Sequence, residues 1–386
     1  MTLNPLEELT RQGQSIWFDN IERKLISSGE LDRLIANFSV RGVTSNPAIF
    51  EKAIGGSDDY LDQLRELAHQ NKSSLEIYEA LAVSDIQAAA DKLAPVFAET
   101  KGIDGFVSLE CSPLLAHKTE ESIEEARRLF KWVDRRNVMI KIPGTPAGIP
   151  AIEECIYEGI NINITLLFSL ASYKDTINAY IRGLERRAAE GKPVDGIASV
   201  ASFFVSRIDT AVDKRIAARL AQSGSEEEKE TLRSLEGRIA IANAKMAYQI
   251  FKDVFHGQRF RALKEKGAQV QRPLWASTST KNPAYPDVYY VEALIGPETV
   301  DTIPPATLKA FRDHGQVRLT LEENLDEEQA RLARLEEAGI SLDEVTEEVL
   351  ADAVRLFVEP FEKLLQTIET RRKEVMGQTA SGTATD

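Results

Sequence analysis

The chain has 386 residues, of which 43% are hydrophobic and 28% charged, and its formal net charge is −14. This composition is typical of a soluble globular protein, and the length fits either two or three domains or one α/β barrel with insertions. The acidic balance disfavours a nucleic-acid surface. The longest stretch without a charged residue, 159–173, is shorter than the roughly 18 apolar residues that a transmembrane helix needs. We therefore expect neither nucleic acid nor a membrane among the partners.

Cysteine and histidine are sparse, which narrows the chemistry. The two cysteines, Cys111 and Cys155, do not form a C-x-x-C pair, and the four histidines are widely separated in the sequence. A disulfide framework and a histidine-rich metal site are therefore not expected. The start of the chain shows no basic segment followed by an apolar one, so no secretory signal is predicted. Together these features predict a cytoplasmic protein.

Short apolar segments recur along the chain, each ending in polar or turn residues. They are rich in Val, Ile and Phe and have the length of strands. The predicted strands are 15–20, 42–47, 105–111, 137–144, 161–169, 196–204, 272–280 and 298–305. Helical patterns lie between them, with apolar residues at three- and four-residue intervals in 31–38, 124–133, 151–158 and 306–315.

Strands that alternate with helices pair in parallel, and eight of them close a (β/α)8 barrel. The predicted fold class is therefore α/β, a TIM-type barrel. Long intervals between strand ends predict helical insertions near 57–100 and 208–255, and the C-terminal region 320–375 is also helical. We expect residues 1–375 to form one domain and 376–386 to be a disordered tail. The extra helices either cover the barrel or form a partner surface, and the protein is predicted to be a monomer or a homodimer.

Lys141 stands in the segment VMIKIPG, with apolar neighbours on both sides and a Pro-Gly stop just beyond. Burial at the end of a strand lowers the pKa of an amine, and a neutral amine can attack a carbonyl to form a Schiff base. The alternative is a lysine that only pairs with a carboxylate for structural reasons.

The carboxyl ends of barrel strands converge on one mouth, where the active sites of barrels lie. The polar residues at the predicted ends are Asp19, Thr44, Asn46, Glu110, Lys141, Asn163, Thr165, Ser202, Ser277 and Thr278. One lysine with two carboxylates can move protons for imine formation and for carbon–carbon cleavage. Structural alternatives exist: Asp19 as a helix cap, Glu110 as an ion-pair partner, and Asn46 in a turn.

Arg207 begins a helical segment just beyond the sixth predicted strand. With Ser202 and the helix N-terminus it can bind a phosphate, and Lys281 in the loop STSTKNP is a second cation for the same anion. Alternatively, Arg207 forms a salt bridge to Asp209 or Asp213. The loop around Lys281 lacks the glycine-rich pattern of a nucleotide-binding loop.

The segments GVTSNPAIF, VMIKIPGT, GININITLLFS and SFFVSRID resemble the signatures of the transaldolase family. The resemblance extends from about Asp19 to about Pro304, and the length and insertions resemble a larger bacterial subgroup. It implies a (β/α)8 barrel without cofactor or metal. It also implies phosphorylated sugar substrates in the non-oxidative pentose phosphate pathway. A dihydroxyacetone unit would move from sedoheptulose 7-phosphate to glyceraldehyde 3-phosphate, giving erythrose 4-phosphate and fructose 6-phosphate.

The resemblance further implies a catalytic set. Lys141 would form the Schiff base with the ketose carbonyl, and Asp19 would be the general acid/base at the C4 hydroxyl. Glu110 and Thr165 would hold the catalytic water that serves imine formation.

The same resemblance implies substrate contacts. Asn46 and Asn163 would hydrogen-bond the dihydroxyacetone portion, and Thr44 would line the pocket. Ser202 and Arg207 would take the phosphate.

Three positions bear on specificity. Phe204 stands where related aldolases have a tyrosine that activates water, so the resemblance favours transfer over simple aldol cleavage. Lys281 stands where many members have an arginine, and it offers a point charge instead of a bidentate fork. Ser206 stands where glycine often precedes the arginine.

Three other functions remain as alternatives. A class I aldolase of the fructose-6-phosphate type would use the same lysine and release free dihydroxyacetone without an acceptor. A metal-dependent barrel isomerase would use Asp19 and Glu110 as ligands, although histidines are missing from the strand ends. A non-catalytic sugar-phosphate-binding barrel would have no need of the reactive amine.

Overall fold

A computed structural model describes residues 4–382 of the chain, with side chains as far as 377. Eight parallel strands form a closed barrel in sequence order. They are β1 (Gln14–Asp19), β2 (Val40–Thr44), β3 (Phe106–Glu110), β4 (Val138–Pro143), β5 (Ile162–Leu167), β6 (Ser199–Phe204), β7 (Arg272–Ala276) and β8 (Thr299–Ile303). Each overlaps the strand predicted from the apolar segments. The predicted (β/α)8 barrel is confirmed.

Helices surround this barrel and fill the intervals between its strands. Within the described residues they are α1 (Pro5–Arg11), α2 (Arg23–Ser27), α3 (Glu30–Phe38), α4 (Pro47–Gly56), α5 (Leu61–His69), α6 (Ser74–Glu99), α7 (Thr119–Val133), α8 (Gly148–Glu158), α9 (Leu170–Ala189), α10 (Ser206–Gln222), α11 (Glu226–Leu235), α12 (Ile239–Phe255), α13 (Gln258–Lys264), α14 (Tyr289–Ala293), α15 (Pro305–His314), α16 (Leu325–Glu337) and α17 (Leu342–Gly382). The predicted insertions contain α5 and α6 in one case and α10, α11 and α12 in the other.

The C-terminal helix differs from its prediction. Helix α17 continues through Gly382, so the disordered tail predicted over 376–386 is helical as far as that residue. Extending an existing helix avoids the cost of nucleation, which explains why these polar residues continue it. Residues 383–386 lie outside the described part of the chain, and the single domain over 1–375 stays a prediction. Among the helices of the described residues, none combines the length and the apolarity needed to cross a bilayer.

The amino-terminal end of the barrel, here called the base, contains a buried ion pair. Arg272 of β7 donates to Asp104 Oδ1 at 2.9 Å and to Ser15 Oγ at 2.8 Å. Asp104 also accepts hydrogen bonds from Ser15 Oγ at 2.6 Å and from Trp17 Nε1 at 3.1 Å. Burial raises the pKa of Asp104, but Arg272 and these hydrogen bonds outweigh it, so the pKa lies below its ordinary value. The Asp104–Arg272 pair is therefore a hydrogen-bonded structural network.

Trp17 fills the interior above this network and is fully buried. Gly42 on the neighbouring strand faces its ring, and a Cβ atom there would come within 2.6 Å of the indole. Glycine is therefore required at this position, because the barrel cannot hold both side chains. The packing holds β1 against β2 up to the pair Asp19 and Thr44 at the carboxyl-terminal end.

Candidate active site

The carboxyl-terminal ends of the strands surround a cavity of about 210 Å³, here called the mouth cavity. Its lining residues are Asp19, Thr44, Asn46, Lys141, Thr165, Ser202, Phe204, Arg207, Ala276, Ser277, Ser279, Lys281, Thr302, Pro304 and Phe357. The structure therefore brings together the predicted site residues, except that Glu110, Asn163 and Thr278 are buried and do not line the cavity. A barrel active site at this end agrees with the general rule for the fold.

Lys141 lies on β4 with only 5% of its surface exposed. Its Nζ donates to the Ser45 carbonyl oxygen at 2.9 Å and to Glu110 Oε2 at 3.2 Å. The register of β3 and β4 places Glu110 beside it, so the ion pair considered as an alternative is present. Burial raises the pKa of Glu110 to about 7, even though Lys141 opposes this. A carboxyl group that titrates near neutral pH can both accept and donate a proton there.

Two oxygens next to Lys141 lack hydrogen-bond partners among the described residues. They are Glu110 Oε1 and Thr165 Oγ1, and both are buried. Unsatisfied buried polar atoms are uncommon and indicate a place where water or a ligand binds. The backbone at Thr165 is also unusual, because β5 changes register between Ile164 and Leu167 and Leu166 has a φ of 60°. Such strain in a residue with a Cβ is costly and is found mainly at functional sites.

Asp19 lies at the end of β1 and accepts a hydrogen bond from Thr44 Oγ1 at 2.7 Å. Thr44 Oγ1 also lies 2.5 Å from Thr302 Oγ1. Burial raises the pKa of Asp19, while Thr44, Lys141 and Lys281 partly counteract the rise. The next helix is preceded by Glu22 and not by Asp19, so the helix-cap alternative is wrong. A buried carboxyl group that faces the cavity is suited to proton transfer.

The two predicted amide contacts differ in their surroundings. Asn163 is fully buried; its Nδ2 donates to Ser108 Oγ at 3.0 Å, and its Oδ1 accepts from Ser202 Oγ at 2.7 Å. Asn46 lines the cavity, and its Oδ1 also accepts from the Ile49 amide at 3.0 Å as the N-cap of α4. Asn46 therefore has a structural role as a helix cap and not in the turn considered as an alternative, and it also forms part of the cavity wall.

Arg207 and Lys281 form the cationic end of the mouth cavity. Arg207 Nη1 is buried and lacks a hydrogen-bond partner among the described residues. Burial lowers the pKa of the Arg207 guanidinium, and burial together with the neighbouring Arg207 lowers the pKa of Lys281. Two desolvated cations side by side favour an anion between them. Both also line an adjoining cavity of about 640 Å³ between α10 and α17.

The carboxylates near Arg207 have other partners. Asp209 accepts from Tyr290 Oη at 2.9 Å, and Asp213 accepts from Tyr285 Oη at 2.7 Å. The salt bridge from Arg207 to either aspartate is therefore absent from the described contacts, and that alternative is wrong. Instead, the two aspartates tie α10, which contains Arg207, to Tyr285 and Tyr290, which follow Lys281 in the chain.

Several lining residues were not part of the predicted site. Thr302 stands near the end of the eighth predicted strand, where the two-residue alternation of a strand could have identified it. Phe357 comes from α17, and nothing in its sequence indicates that this helix passes the mouth. Thr278 was placed at the mouth, but its hydroxyl donates to Asp301 Oδ1 at 2.9 Å instead. Within the described residues, we find no group of three or more His, Cys, Asp or Glu side chains arranged to hold a metal ion.

Comparison with known proteins identifies the family. The family model described as Transaldolase/Fructose-6-phosphate aldolase matches residues 16–368. A transaldolase of Trichodesmium erythraeum is 48% identical over 377 residues, covering 97% of this chain and 99% of the relative. Transaldolase 1 of Streptomyces avermitilis is 47% identical over 370 residues, or 96% of each chain. A transaldolase of Thiobacillus denitrificans is 45% identical over 366 residues, covering 95% and 100%. The chain belongs to the transaldolase/fructose-6-phosphate aldolase family.

Proposed function

We propose that the protein is a transaldolase with Lys141 as its Schiff-base residue. It transfers a dihydroxyacetone unit from sedoheptulose 7-phosphate to glyceraldehyde 3-phosphate and produces erythrose 4-phosphate and fructose 6-phosphate. One observation carries the proposal: a buried lysine, paired with a carboxyl group whose pKa is about 7, faces a cavity that ends in two cations. Relatives named transaldolase, which match this chain over nearly their whole length, support the proposal.

The first step joins the donor sugar to the enzyme. The Lys141 amine gives a proton to Glu110 Oε2, 3.2 Å away, and attacks the C2 carbonyl of the ketose. The resulting carbinolamine loses its hydroxyl as water when Glu110 returns a proton. Glu110 Oε1 and Thr165 Oγ1, which lack protein partners among the described residues, hydrogen-bond the water that leaves and later re-enters.

The second step breaks the bond between C3 and C4. The iminium draws the electrons of that bond toward nitrogen, which leaves the dihydroxyacetone unit as an enamine on Lys141. Asp19 takes the proton of the C4 hydroxyl, so erythrose 4-phosphate leaves as an aldehyde. The raised pKa of Asp19 makes its carboxylate a stronger base than an ordinary aspartate. The same proton returns to the aldehyde oxygen of glyceraldehyde 3-phosphate when the new bond forms.

The phosphate group binds at the cationic end of the mouth cavity. Arg207 Nη1 supplies an unsatisfied donor, and Lys281 supplies a second charge. Lys281 Nζ donates to Ser279 Oγ at 2.7 Å, whereas the Ser202 hydroxyl already donates to Asn163. We therefore favour Ser279 over Ser202 as the hydroxyl nearest the phosphate.

Transfer also requires that the intermediate meets the acceptor before it meets an acid. Phe204 lines the cavity, and its ring lies 5.3 Å from that of Phe168. The Phe204 ring offers no hydroxyl to activate a water molecule at this part of the wall, which favours transfer over aldol cleavage with release of dihydroxyacetone.

The proposal also includes the cellular location, the partners and the assembly of the enzyme. A cytoplasmic location agrees with the two buried cysteines, Cys111 and Cys155, which remain free thiols. The net charge of −14 agrees with the absence of a nucleic-acid partner. A monomer or a homodimer remains the prediction for its assembly.

Borohydride trapping tests the function directly. The protein is incubated with fructose 6-phosphate, reduced with borohydride, and digested for peptide mass spectrometry. We expect one dihydroxyacetone unit on Lys141, and erythrose 4-phosphate added before the reductant should deplete it. Lys245 is a matched control, because it is equally buried and also paired with a glutamate, yet it lies outside the mouth cavity. An adduct that is absent, or equally abundant on both lysines, would overturn the proposal.

A further inference from the structure

Helix α17 is attached on both sides of the mouth cavity. On one side Arg371 donates to the carbonyl oxygens of Ile54 and Gly55 at the end of α4, at 2.9 and 3.0 Å. On the other side Arg215 of α10 forms an ion pair with Glu348, near the start of α17. The segment between these attachments therefore spans the mouth.

Phe357 lies in this spanning segment and faces the reactive amine. Only 7% of its surface is exposed, it lines the mouth cavity, and its ring centroid lies 5.9 Å from Lys141 Nζ. This distance is within the range of a cation–π contact. Leu356, its neighbour in sequence, lines the adjoining cavity instead and is 44% exposed. Two adjacent residues thus provide one side chain that covers the lysine and one that does not.

The helix around Phe357 lacks one backbone hydrogen bond and is supported by one aromatic contact. Pro360 lies within the helix and has no N–H to donate to the carbonyl of Leu356, one turn earlier. Phe361 compensates by packing edge-to-face against Tyr78 with the ring centroids 5.4 Å apart. The turn of helix that follows Phe357 is therefore anchored by the packing of Phe361.

We propose that Phe357 determines the fate of the covalent intermediate, as a positioning residue that excludes water from Lys141. This inference rests on the proposed transaldolase function. In productive transfer, the enamine carbon forms a bond to the aldehyde carbon of the acceptor, whose oxygen takes a proton. In the wasteful branch, the same enamine carbon takes a proton from solvent. Water then adds to the iminium carbon, the carbon–nitrogen bond breaks, and dihydroxyacetone leaves with the Lys141 amine restored.

Phe357 acts on the second branch in two ways. Its ring occupies the space beside Nζ, so water reaches the enamine and the iminium from fewer directions. The face of the ring also meets the positive charge, which resides on the ammonium in the free enzyme and on the iminium in the intermediate. Removal of the ring should therefore increase hydrolysis more than it decreases transfer.

The test compares Phe357→Ala and Phe357→Leu with Leu356→Ala as the matched control. Each variant is supplied with fructose 6-phosphate and erythrose 4-phosphate, and free dihydroxyacetone is measured relative to the sedoheptulose 7-phosphate formed. We expect this ratio to rise at least about fivefold in Phe357→Ala, by less in Phe357→Leu, and not in Leu356→Ala. Circular dichroism confirms that each variant is folded.

The outcomes separate this inference from the function on which it rests. An unchanged ratio in Phe357→Leu, with Phe357→Ala either unchanged or unfolded, would overturn the role of Phe357. An equal rise in Leu356→Ala would also overturn it, because a general loosening of α17 would then explain the effect. If borohydride leaves no adduct on the wild-type protein, the proposed function itself fails, whatever the variants do.

Discussion

Two buried lysine–glutamate pairs occur in different regions of this molecule, and their immediate contacts are nearly the same. At the mouth of the barrel, Lys141 Nζ donates to a backbone carbonyl at 2.9 Å and to Glu110 at 3.2 Å. Between α12 and α16, Lys245 Nζ donates to a backbone carbonyl at 2.9 Å and to Glu328 at 3.3 Å. The four side chains are similarly buried. Burial and pairing alone therefore do not distinguish the lysine that we propose to be reactive from one with a structural role.

The difference lies in the second oxygen of each glutamate. Glu328 Oε2 accepts a hydrogen bond from Arg331 at 2.6 Å, whereas Glu110 Oε1 lacks a partner among the described residues. In addition, Lys141 faces a cavity lined by polar side chains. A satisfied pair has little to gain from a ligand, but an unsatisfied pair next to a cavity is stabilised when water or substrate completes its hydrogen bonds.

The largest effect is expected on activity when each glutamate is neutralised. Glu110→Gln should lower kcat for transfer by about 100- to 10,000-fold, because the proton relay to the Lys141 amine is lost. Glu328→Gln should leave kcat within about twofold of the wild-type value, because the pair of Glu328 with Lys245 lies outside the mouth cavity. We expect this pair to affect stability instead. Steady-state transfer rates, normalised to folded protein, provide the measurement. Comparable losses in both variants would show that the two pairs do not differ in function.

For stability we expect the opposite order: replacing the lysine of the α12–α16 pair should have a larger effect than replacing the lysine at the mouth. Lys245→Met should lower the free energy of unfolding by about 3 kcal/mol, because a buried ion pair is broken. Lys141→Met should cost less, since the carboxyl group of Glu110 already has a pKa of about 7 and can remain protonated without its partner. Urea unfolding of both variants at pH 6 measures the difference. A greater loss in Lys141→Met would contradict the view that the mouth pair trades stability for function.

The mouth pair should also affect how stability depends on pH. The folded protein keeps the Glu110 proton up to a pKa of about 7, whereas the unfolded chain releases it near the ordinary value of 4.5. Between these values the folded state binds more protons, so rising pH favours unfolding by up to about 3 kcal/mol. Relative to wild type, Glu110→Gln should therefore gain stability from pH 5 to pH 7.5. Urea titrations across this range test the sign, and a constant difference would refute it.

The smallest effect concerns the tyrosine hydroxyl near the two cations that we propose to bind the phosphate. Tyr285 donates to Asp213 beside the mouth, and Tyr248 donates to the Pro297 carbonyl at 3.1 Å near the base. Tyr285→Phe should raise KM for fructose 6-phosphate about fivefold with little change in kcat, since one hydrogen bond is worth about 1 kcal/mol. Tyr248→Phe removes a comparable hydroxyl and should leave KM unaltered. Equal KM values in the two variants would show that the aspartate–tyrosine contacts do not position Arg207 and Lys281.

The sequence was sufficient to predict the barrel because each strand ends in polar or turn residues. Apolar segments of strand length, separated by helical periodicity, leave few other architectures, and a parallel connection requires a crossover. The polar strand ends then converge on one mouth, which is why Asp19, Lys141 and Thr165 could be predicted together. The helical tail was missed because composition alone does not show that a preceding helix continues into it.

Contacts between elements far apart in sequence could not be predicted in the same way. The side chain of Phe357 reaches the mouth only because α17 packs against α4 and α10, and no local pattern encodes that path. The partners of Asp209 and Asp213 were also missed, since charge suggested a nearby arginine and the structure shows tyrosines. Local periodicity in the sequence predicts the secondary-structure elements, whereas the partners of a buried polar group depend on tertiary packing.

The position of α17 in the chain has a consequence for protein synthesis. This helix follows all eight strands, and its hydrogen bond from Arg371 to Ile54 joins residues 317 positions apart. A ribosome makes the chain from its amino end, so every strand of the barrel has been translated before α17 begins to emerge. Contacts of such sequence separation form late in folding. The nascent chain can therefore complete its barrel while Lys141 is still exposed to solvent. The mouth cavity is covered only after α17 has been synthesised and has packed across it.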